Sequence, residues 1–324
     1  MEYRRLGRSG LKLSALSYGS WVTFHNQVDV DRAVESLALA YDHGVNFFDN
    51  AEGYAYGRSE EVMGAALAKL SWPRDRYCVS SKVYFGPVAE PVPTQRGLSR
   101  KHVMDACHQA LQRLRVDYLD LYFCHRPDPD TPIGETVRAM HDLVAQGKVL
   151  YWGTSEWSAG EIAAAHAHAR ADNLTPPTME QPEYNLFARH KVEVEYTRLY
   201  QEFGLGTTTW SPLASGLLSG KYADGVPQDS RFALPGYEWL RKRLESPLGR
   251  RQVAAAAELG KLAGTLGCST AQLAIAWILG NPWVSTVILG ASRPGQLREN
   301  LGALAMAEKL TPEIRKRIES ISAA

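Results

Sequence analysis

The chain has 324 residues, of which 45% are apolar and 22% charged, and its formal net charge at pH 7 is +1. This balanced composition gives no electrostatic indication of a nucleic acid, an anionic membrane surface or an acidic partner. No window has the length and apolarity of a bilayer-spanning helix, and the basic N-terminal segment lacks the apolar core of a secretory signal. The four cysteines are scattered without a C-x-x-C pair, which favours free thiols in a reducing compartment and predicts a cytoplasmic protein.

Short apolar runs alternate with segments of helical periodicity along the chain. Runs rich in Val, Ile, Tyr and Phe predict strands, and the segments between them predict amphipathic helices. Ser99 is placed to cap one helix, and Gly44 and Gly147 stand where two others should end. The predicted strands lie at 13–21, 45–50, 77–83, 118–125, 149–155, 178–184, 206–212 and 284–292. The predicted helices lie near 31–43, 59–69, 99–114, 133–146, 158–170, 190–203 and 294–303.

Eight strands that alternate with helices predict a parallel sheet with right-handed crossovers, and this number suits a closed (β/α)8 TIM barrel. We expect one α/β domain over 1–324. The competing fold is an open doubly wound sheet, whose dinucleotide-binding examples carry a G-x-G-x-x-G turn that follows no strand here.

Two segments depart from the alternation. Residues 1–12 predict an N-terminal β-hairpin that turns at Ser9-Gly10, and 216–247 predict a long inserted loop over the strand ends, where long loops are usually functional.

Polar residues collect where the predicted strands end, and in a barrel these ends meet at the catalytic face. Asp49, Lys82 and His125 each follow a buried run, and Tyr54 comes shortly after Asp49. An isolated Asp and Tyr at this spacing would ordinarily be a turn cap and a packed ring. That explanation fits poorly when three strands end in such residues, because unpaired polar groups are costly to bury. The strand-end set is Ser20, Trp21, Asp49, Lys82, His125, Ser155, Gln181, Trp210, Ser211, Gly290 and Ser292.

Tyr54, Lys82, Asp49 and His125 form a coherent acid–base set for the reduction of a carbonyl group. A phenol can deliver a proton to the carbonyl oxygen, but its ordinary pKa is about 10. We expect the Lys82 ammonium to lower the pKa of Tyr54, and Asp49 to keep that ammonium charged and aimed. His125 is placed to donate a hydrogen bond to the same carbonyl oxygen.

Long stretches of the chain resemble the aldo-keto reductases, and within that superfamily the potassium-channel β-subunit branch. The pattern D-x-A-x-x-Y at Asp49–Tyr54, together with Lys82 and His125, resembles the catalytic tetrad of the family. The matching stretches are GLSRKHVMDA, HRPDPDTPIGETVRAM, YWGTSEWSAGEI, NLTPP, TWSPLASGLLSGKY and ILGASRPGQLREN. The resemblance covers almost the whole chain. It implies a (β/α)8 barrel, NADPH as cofactor and the reduction of aldehydes, and some ketones, to alcohols.

The resemblance also implies a role for individual residues. Tyr54 is the proton donor, Lys82 and Asp49 tune it, and His125 orients the carbonyl group. Ser155 and Gln181 hold the nicotinamide, which stacks on an aromatic ring. The other implied cofactor contacts are Ser20, Trp21, Gln27, Asp49, Trp210, Ser211, Pro212, Leu213, Ala214, Ser215, Gly216, Lys221 and Arg231, with Gly290, Ser292, Gln296, Glu299 and Asn300 at the adenosine end. No metal site is implied.

The residues expected at the adenosine end suit a cofactor that carries an extra phosphate. Lys221, Arg231 and Arg293 supply positive charge, and the Ser292 hydroxyl stands near the start of a helix, a favourable place for an anion. A 2′-phosphate would use these groups and NADH would not. The sequence therefore predicts a preference for NADPH.

Two positions depart from the channel branch. His125 stands where animal channel-associated members typically carry Asn, and it restores the usual reductase set. Glu156 stands where the branch usually has Arg, and a carboxylate there alters either the cofactor contacts or the polarity of the pocket.

Two functions follow from the resemblance. One is an NADPH-dependent reductase, and the alternative is a cofactor-binding, redox-sensing regulator of a potassium channel with slow turnover. His125 and the expected lack of a long N-terminal extension favour the enzyme. The branch further implies a homotetramer.

Overall fold

The computed structural model describes residues 1–21, 24, 29–222, 225, 227 and 238–323. The chain divides into two compact units, and each is described by itself. The first comprises Met1–Pro182, His190–Trp210 and Trp283–Arg298, and the second comprises Glu183–Arg189, Ser211–Pro282 and Glu299–Ala324. The prediction of one domain over the whole chain stays a prediction.

The first unit begins with an antiparallel hairpin of β1 (Tyr3–Arg5) and β2 (Lys12–Ser14). Eight parallel strands follow and close into a barrel in the order β10-β3-β4-β5-β6-β7-β8-β9. The predicted TIM barrel is confirmed, and the open doubly wound sheet is not what the chain forms. The barrel strands are β3 (Leu16–Gly19), β4 (Phe47–Asp49), β5 (Cys78–Val83), β6 (Leu119–Cys124), β7 (Val149–Thr154), β8 (Met179–Glu180), β9 (Gly206–Thr209) and β10 (Thr286–Leu289).

Within the described residues, twelve α-helices accompany the strands. Six of them lie within two residues of the predicted bounds. Ser99 caps one of these helices by accepting a hydrogen bond from the backbone N–H of His102. Gly44 and Gly147 follow helix ends with positive φ angles of 85° and 69°, as predicted. The helices are α1 (Val30–Asp42), α2 (Arg58–Leu70), α3 (Arg100–Leu114), α4 (Ile133–Ala145), α5 (Ala159–Ala171), α6 (Thr197–Glu202), α7 (Glu238–Glu245), α8 (Pro247–Thr265), α9 (Thr270–Leu279), α10 (Pro294–Leu301), α11 (Ala303–Ala307) and α12 (Pro312–Ser322).

Several predicted bounds were wrong. The strand predicted at 13–21 is two strands in the structure: β2 pairs with β1 in the hairpin, whereas β3 pairs with β4 in the barrel. The strand predicted at 178–184 ends at Glu180, shortly before Pro182, which has no N–H to donate to a ladder. The helix predicted at 190–203 is a π-helical turn, Lys191–Glu195, followed by α6. The loop predicted at 216–247 lies partly outside the described residues, and its described part contains α7. The bounds of α8, α9, α11 and α12 match none of the predicted helices.

Apolar side chains from the hairpin and the strands pack together in the first unit. Leu6 and Leu13, from the hairpin segment, are fully buried in a cluster with barrel residues such as Phe47, Leu121 and Phe123. Burial of a side chain of this size stabilises the fold by roughly 1.5–3 kcal/mol. Because side chains fill this part of the barrel, a binding site in the barrel can form only at the polar carboxyl ends of the strands.

The second unit is helical. Helix α8 packs against α7, α9 and α12, and α9 packs against α11. Every residue of α9 from Ala271 to Leu279 except Gln272 is buried, so this helix forms the core of the unit. No single helix in the described part of the chain is long and apolar enough to cross a membrane. Among the helices of the described residues, one pair, α8 and α9, passes the length and composition test when taken together, across a bend of 89°.

Candidate active site

Lys82 lies at the centre of the polar strand ends. Its side chain projects from β5 and is fully buried. The ammonium donates to Asp49 Oδ2 at 2.6 Å, to the carbonyl oxygen of Asn50 at 2.8 Å and to Tyr54 Oη at 3.1 Å. An ammonium has three N–H groups, so these bonds use all of them. Because Tyr54 Oη accepts from Lys82, the O–H of the phenol is left to donate to another group.

Asp49 connects Lys82 to the neighbouring strands. It ends β4 and is 3% exposed. Its second carboxylate oxygen accepts from Ser80 Oγ at 2.8 Å and from Gln181 Nε2 at 3.1 Å. A buried carboxylate with a cationic partner and two further donors has its desolvation cost offset. Ser80 was not among the predicted site residues, although it precedes Lys82 by two positions in β5 and the strand period of two places both on one face.

The pKa values of Lys82 and Tyr54 reflect burial and their mutual contact. Burial by itself lowers the pKa of Lys82, but the Asp49 carboxylate and the Tyr54 phenol outweigh it and raise that pKa above its usual value. Burial raises the pKa of Tyr54, and the opposing effect of Lys82 is smaller. The expected effect of Lys82 on Tyr54 has the predicted direction, since the ammonium lowers the pKa of the phenol, but burial outweighs it and leaves the net pKa above its ordinary value. Tyr54 keeps its proton at neutral pH and can act as an acid.

His125 follows β6 and lies against Tyr54. The centroids of the Tyr54 and His125 rings are 5.7 Å apart, and those of the Phe85 and His125 rings are 5.1 Å apart. His125 Nδ1 is buried and has no hydrogen-bond partner among the described residues. Burial, followed by the charges of Lys82 and Arg126, holds the pKa of His125 well below its usual value, so the ring is neutral. A carbonyl oxygen placed between the two rings would meet the Tyr54 O–H and a buried imidazole.

Three of the predicted cofactor residues belong to the same hydrogen-bonded network. Ser20 Oγ donates to the backbone oxygen of Asp49 at 3.1 Å. Ser155 Oγ donates to the backbone oxygen of Gln181 at 2.9 Å. The Gln181 amide donates to Thr208 Oγ1 at 3.2 Å as well as to Asp49. The network extends around the barrel from the end of β3 to β9.

Two tryptophans, both predicted from strand ends, form an aromatic edge of the site. The ring centroids of Trp21 and Trp210 are 6.0 Å apart, with the planes nearly perpendicular. Trp21 also lies 6.5 Å from the ring of Tyr54. Aromatic pairs at these separations attract each other through the ring edges and faces. The structure thus brings together nine predicted site residues: Ser20, Trp21, Asp49, Tyr54, Lys82, His125, Ser155, Gln181 and Trp210.

The remaining predicted cofactor residues lie in other parts of the chain. Gly290, Ser292 and Gln296 belong to the first unit, and the Gln296 amide oxygen accepts from the N–H and the hydroxyl of Ser292 just before α10. The second unit holds Ser211, Pro212, Leu213, Ala214, Ser215, Gly216, Lys221, Glu299 and Asn300, and Ser211, Ala214, Ser215 and Gly216 have positive φ angles. Gln27 and Arg231 lie outside the described residues.

Comparison with known proteins agrees with this geometry. Residues 15–323 match the model of the Aldo/keto reductase family. The chain is 51% identical to a protein of Arabidopsis thaliana and 52% identical to one of Oryza sativa subsp. japonica, each described as a probable voltage-gated potassium channel subunit beta. Both matches span 322 residues, 99% of this chain and 96% of each relative.

The chain belongs to the aldo/keto reductase family. Membership makes it an oxidoreductase of a family that generally uses NAD(P)H. The resemblance to the channel-subunit branch, predicted from the sequence, is also confirmed.

Proposed function

We propose that this chain reduces aldehydes, and some ketones, to alcohols with NADPH. The observation that carries the proposal is the placement of Lys82, which donates to Asp49 and Tyr54 at once and leaves the Tyr54 O–H for a substrate. The imidazole of His125, whose ring centroid lies 5.7 Å from that of Tyr54, fits a second contact with the carbonyl group.

Each residue of the tetrad then has one task. The substrate oxygen lies between Tyr54 and His125, and NADPH, when bound, supplies the hydride that adds to the carbonyl carbon. Tyr54 gives its proton to the oxygen, which completes the alcohol. Lys82 stabilises the resulting phenolate through the existing 3.1 Å hydrogen bond, and Asp49 keeps the ammonium in place.

The residues of the aromatic edge and the network around it fit a nicotinamide ring. Trp21 and Trp210 offer apolar faces, and Ser155 and Gln181 offer polar atoms near Asp49. Ser292, Arg293 and Gln296 would hold the adenosine end. These assignments extend the family resemblance to the residues of this chain.

A preference for NADPH over NADH should depend on Arg293. This residue stands immediately before α10, where the helix N-terminus and a guanidinium together favour a phosphate. We expect Arg293→Met to raise the KM for NADPH about tenfold, the size of one lost charge-assisted contact, and to leave the KM for NADH nearly unchanged. Steady-state kinetics with both cofactors measure the two effects.

Arg298→Met is the matched control, because Arg298 is an exposed arginine in the last turn of the same helix. It should leave both KM values at the wild-type level. Equal wild-type affinity for NADH and NADPH, or an equal loss for both in Arg293→Met, would contradict the preference.

The names of the two relatives favour a second candidate function. Under it, the chain binds NADPH, turns over slowly and regulates a potassium channel on which it docks. His125 supports the enzyme instead, because it completes the set that a reductase uses. For either function we propose a cytoplasmic homotetramer, on the strength of the family resemblance.

One assay separates the two functions. Purified protein is mixed with excess NADPH and a reactive aromatic aldehyde, and the loss of nicotinamide absorbance is followed over many turnovers. Sustained consumption, with formation of an equal amount of alcohol, supports the reductase. A single stoichiometric turnover followed by a stall supports the regulator, and the absence of any turnover contradicts the enzyme.

A further inference from the structure

Glu156 connects the end of β7 to two other parts of the first unit. One carboxylate oxygen accepts from the indole N–H of Trp210 at 3.0 Å. The other accepts from Lys191 Nζ at 2.8 Å, and Lys191 also donates to the backbone oxygen of Glu156 at 2.8 Å. The backbone of Glu156 is left-handed, with φ of 62°, a conformation that costs energy for a residue other than glycine. The contacts made by Lys191 compensate for this strain.

Trp210 links this ion pair to the candidate active site. Its backbone N–H donates to the oxygen of Pro182 at 3.1 Å, so the main chain is already held. The remaining freedom is rotation of the indole, and the hydrogen bond to Glu156 restricts it. The ring of Trp210 packs edge-on against Trp21, which in turn lies beside Tyr54. The orientation of the indole therefore sets the shape of the aromatic edge next to the proposed proton donor.

We propose that Glu156 and Lys191 are a positioning pair that fixes the indole of Trp210, and that cofactor affinity depends on this pair. The second part of the proposal rests on the proposed function. The carboxylate at position 156 accepts from the indole through one oxygen and from Lys191 through the other. The Arg that the channel branch usually carries there has no acceptor atom and would repel Lys191. The glutamate at position 156, where the branch usually has Arg, thus sets the orientation of the Trp210 indole, which we propose contacts the cofactor.

The first experiment uses the protein without cofactor and reads the hydrogen bond directly. Tryptophan is labelled with ¹⁵N in the indole, and Trp210→Phe assigns the Trp210 resonance among the eight tryptophans. We expect Glu156→Leu to shift that resonance and to speed exchange of its N–H with solvent about tenfold. Glu156→Gln keeps an acceptor and should cause a smaller change. An unchanged resonance and exchange rate in Glu156→Leu would overturn the positioning role.

Lys101→Met is the matched control for removal of a lysine from an ion pair. Lys101 pairs with Asp105 on α3 at 2.6 Å, and the two side chains are 63% and 46% exposed. This variant should leave the Trp210 resonance at the wild-type position, whereas Lys191→Met should shift it. Equal spectra for the two lysine variants would show that Lys191 does not position Glu156.

The second experiment measures the Kd for NADPH by fluorescence titration. We expect Glu156→Leu to raise the Kd about tenfold and Glu156→Gln to raise it less than about threefold, with the loss falling on the Kd rather than on kcat at saturating NADPH. A shifted indole resonance combined with wild-type affinity would overturn the dependence of affinity on the pair. A wild-type protein that binds no NADPH would instead contradict the proposed function, while the indole measurement would still decide the positioning role.

Discussion

Replacement of Tyr54 by Phe is expected to lower kcat for carbonyl reduction by about 10²- to 10⁴-fold, the range typical of a lost general acid. The substitution removes only the hydroxyl that Lys82 contacts at 3.1 Å. The ring that packs beside Trp21 and His125 remains, so the Kd for NADPH should stay within about twofold of the wild-type value. Steady-state kinetics with an aromatic aldehyde, together with a fluorescence titration of NADPH, test both statements.

Tyr56→Phe provides the matched control. Tyr56 lies two residues further along the same turn and is 61% exposed, so it offers the same chemical change outside the hydrogen-bonded network. Its kcat and Kd should equal those of the wild type. A Tyr54→Phe variant with nearly wild-type kcat would show that another group donates the proton. A large loss of NADPH affinity in the same variant would show that the hydroxyl holds the cofactor.

The second large effect is expected for Lys82→Met. This variant should lose most activity, and its free energy of unfolding should fall by about 3–5 kcal/mol, the usual result of removing one partner from a buried ion pair. The cause is Asp49, whose carboxylate would stay buried with its closest cationic partner gone. Urea denaturation followed by circular dichroism measures the stability, and the aldehyde assay measures the activity.

The double variant Asp49→Asn/Lys82→Met separates stability from catalysis. Because it removes the buried charge as well as its partner, it should recover much of the lost stability. Activity should not return, since no ammonium remains beside Tyr54. Recovery of activity would contradict the role given to Lys82.

Lys69→Met shows how much the free energy of unfolding falls when an ordinary surface lysine is removed from its ion pair. Lys69 pairs with Asp31 at 2.7 Å, but the two side chains are 56% and 86% exposed. Loss of such a surface pair should cost less than about 1 kcal/mol. If Lys82→Met were no more destabilising than Lys69→Met, the ion pair in the barrel would not contribute to the fold as proposed.

The sequence was sufficient to predict the architecture, and nine of the residues proposed for the site lie together in it. The alternation of apolar runs with amphipathic segments predicted a parallel sheet, because consecutive parallel strands are joined by a crossover that is usually a helix. The number of strands, eight, then predicted a closed barrel. The barrel in turn predicted that Asp49, Lys82 and His125 would meet, since its strands all end on one face. The local contacts of these residues in the structure agree with that expectation.

Strand pairing decided what the local pattern could not. Residues 13–21 were predicted as one strand, yet β2 pairs with β1 in the hairpin and β3 pairs with β4 in the barrel. Periodicity reports which residues are apolar and does not report which neighbour each one pairs with. The helix predicted at 190–203 likewise divides into a π-helical turn and a short α-helix.

The electrostatics of the site also depended on the tertiary structure. The sequence indicated that Lys82 would act on Tyr54, and the two groups are in contact. The net direction of the Tyr54 pKa, however, is set by burial, which only the packed barrel determines. Glu156 and Trp210 lie 54 positions apart. Glu156 follows β7 and Trp210 follows β9, with β8 between these two strands in the barrel. Their hydrogen bond exists because the closed barrel brings the ends of β7 and β9 close together. The sequence by itself predicted the family and the barrel and proposed the members of the tetrad. Distance and desolvation, which arise from long-range packing, decided the direction in which the pKa values of Tyr54, Lys82 and His125 shift and which groups hold these side chains in place.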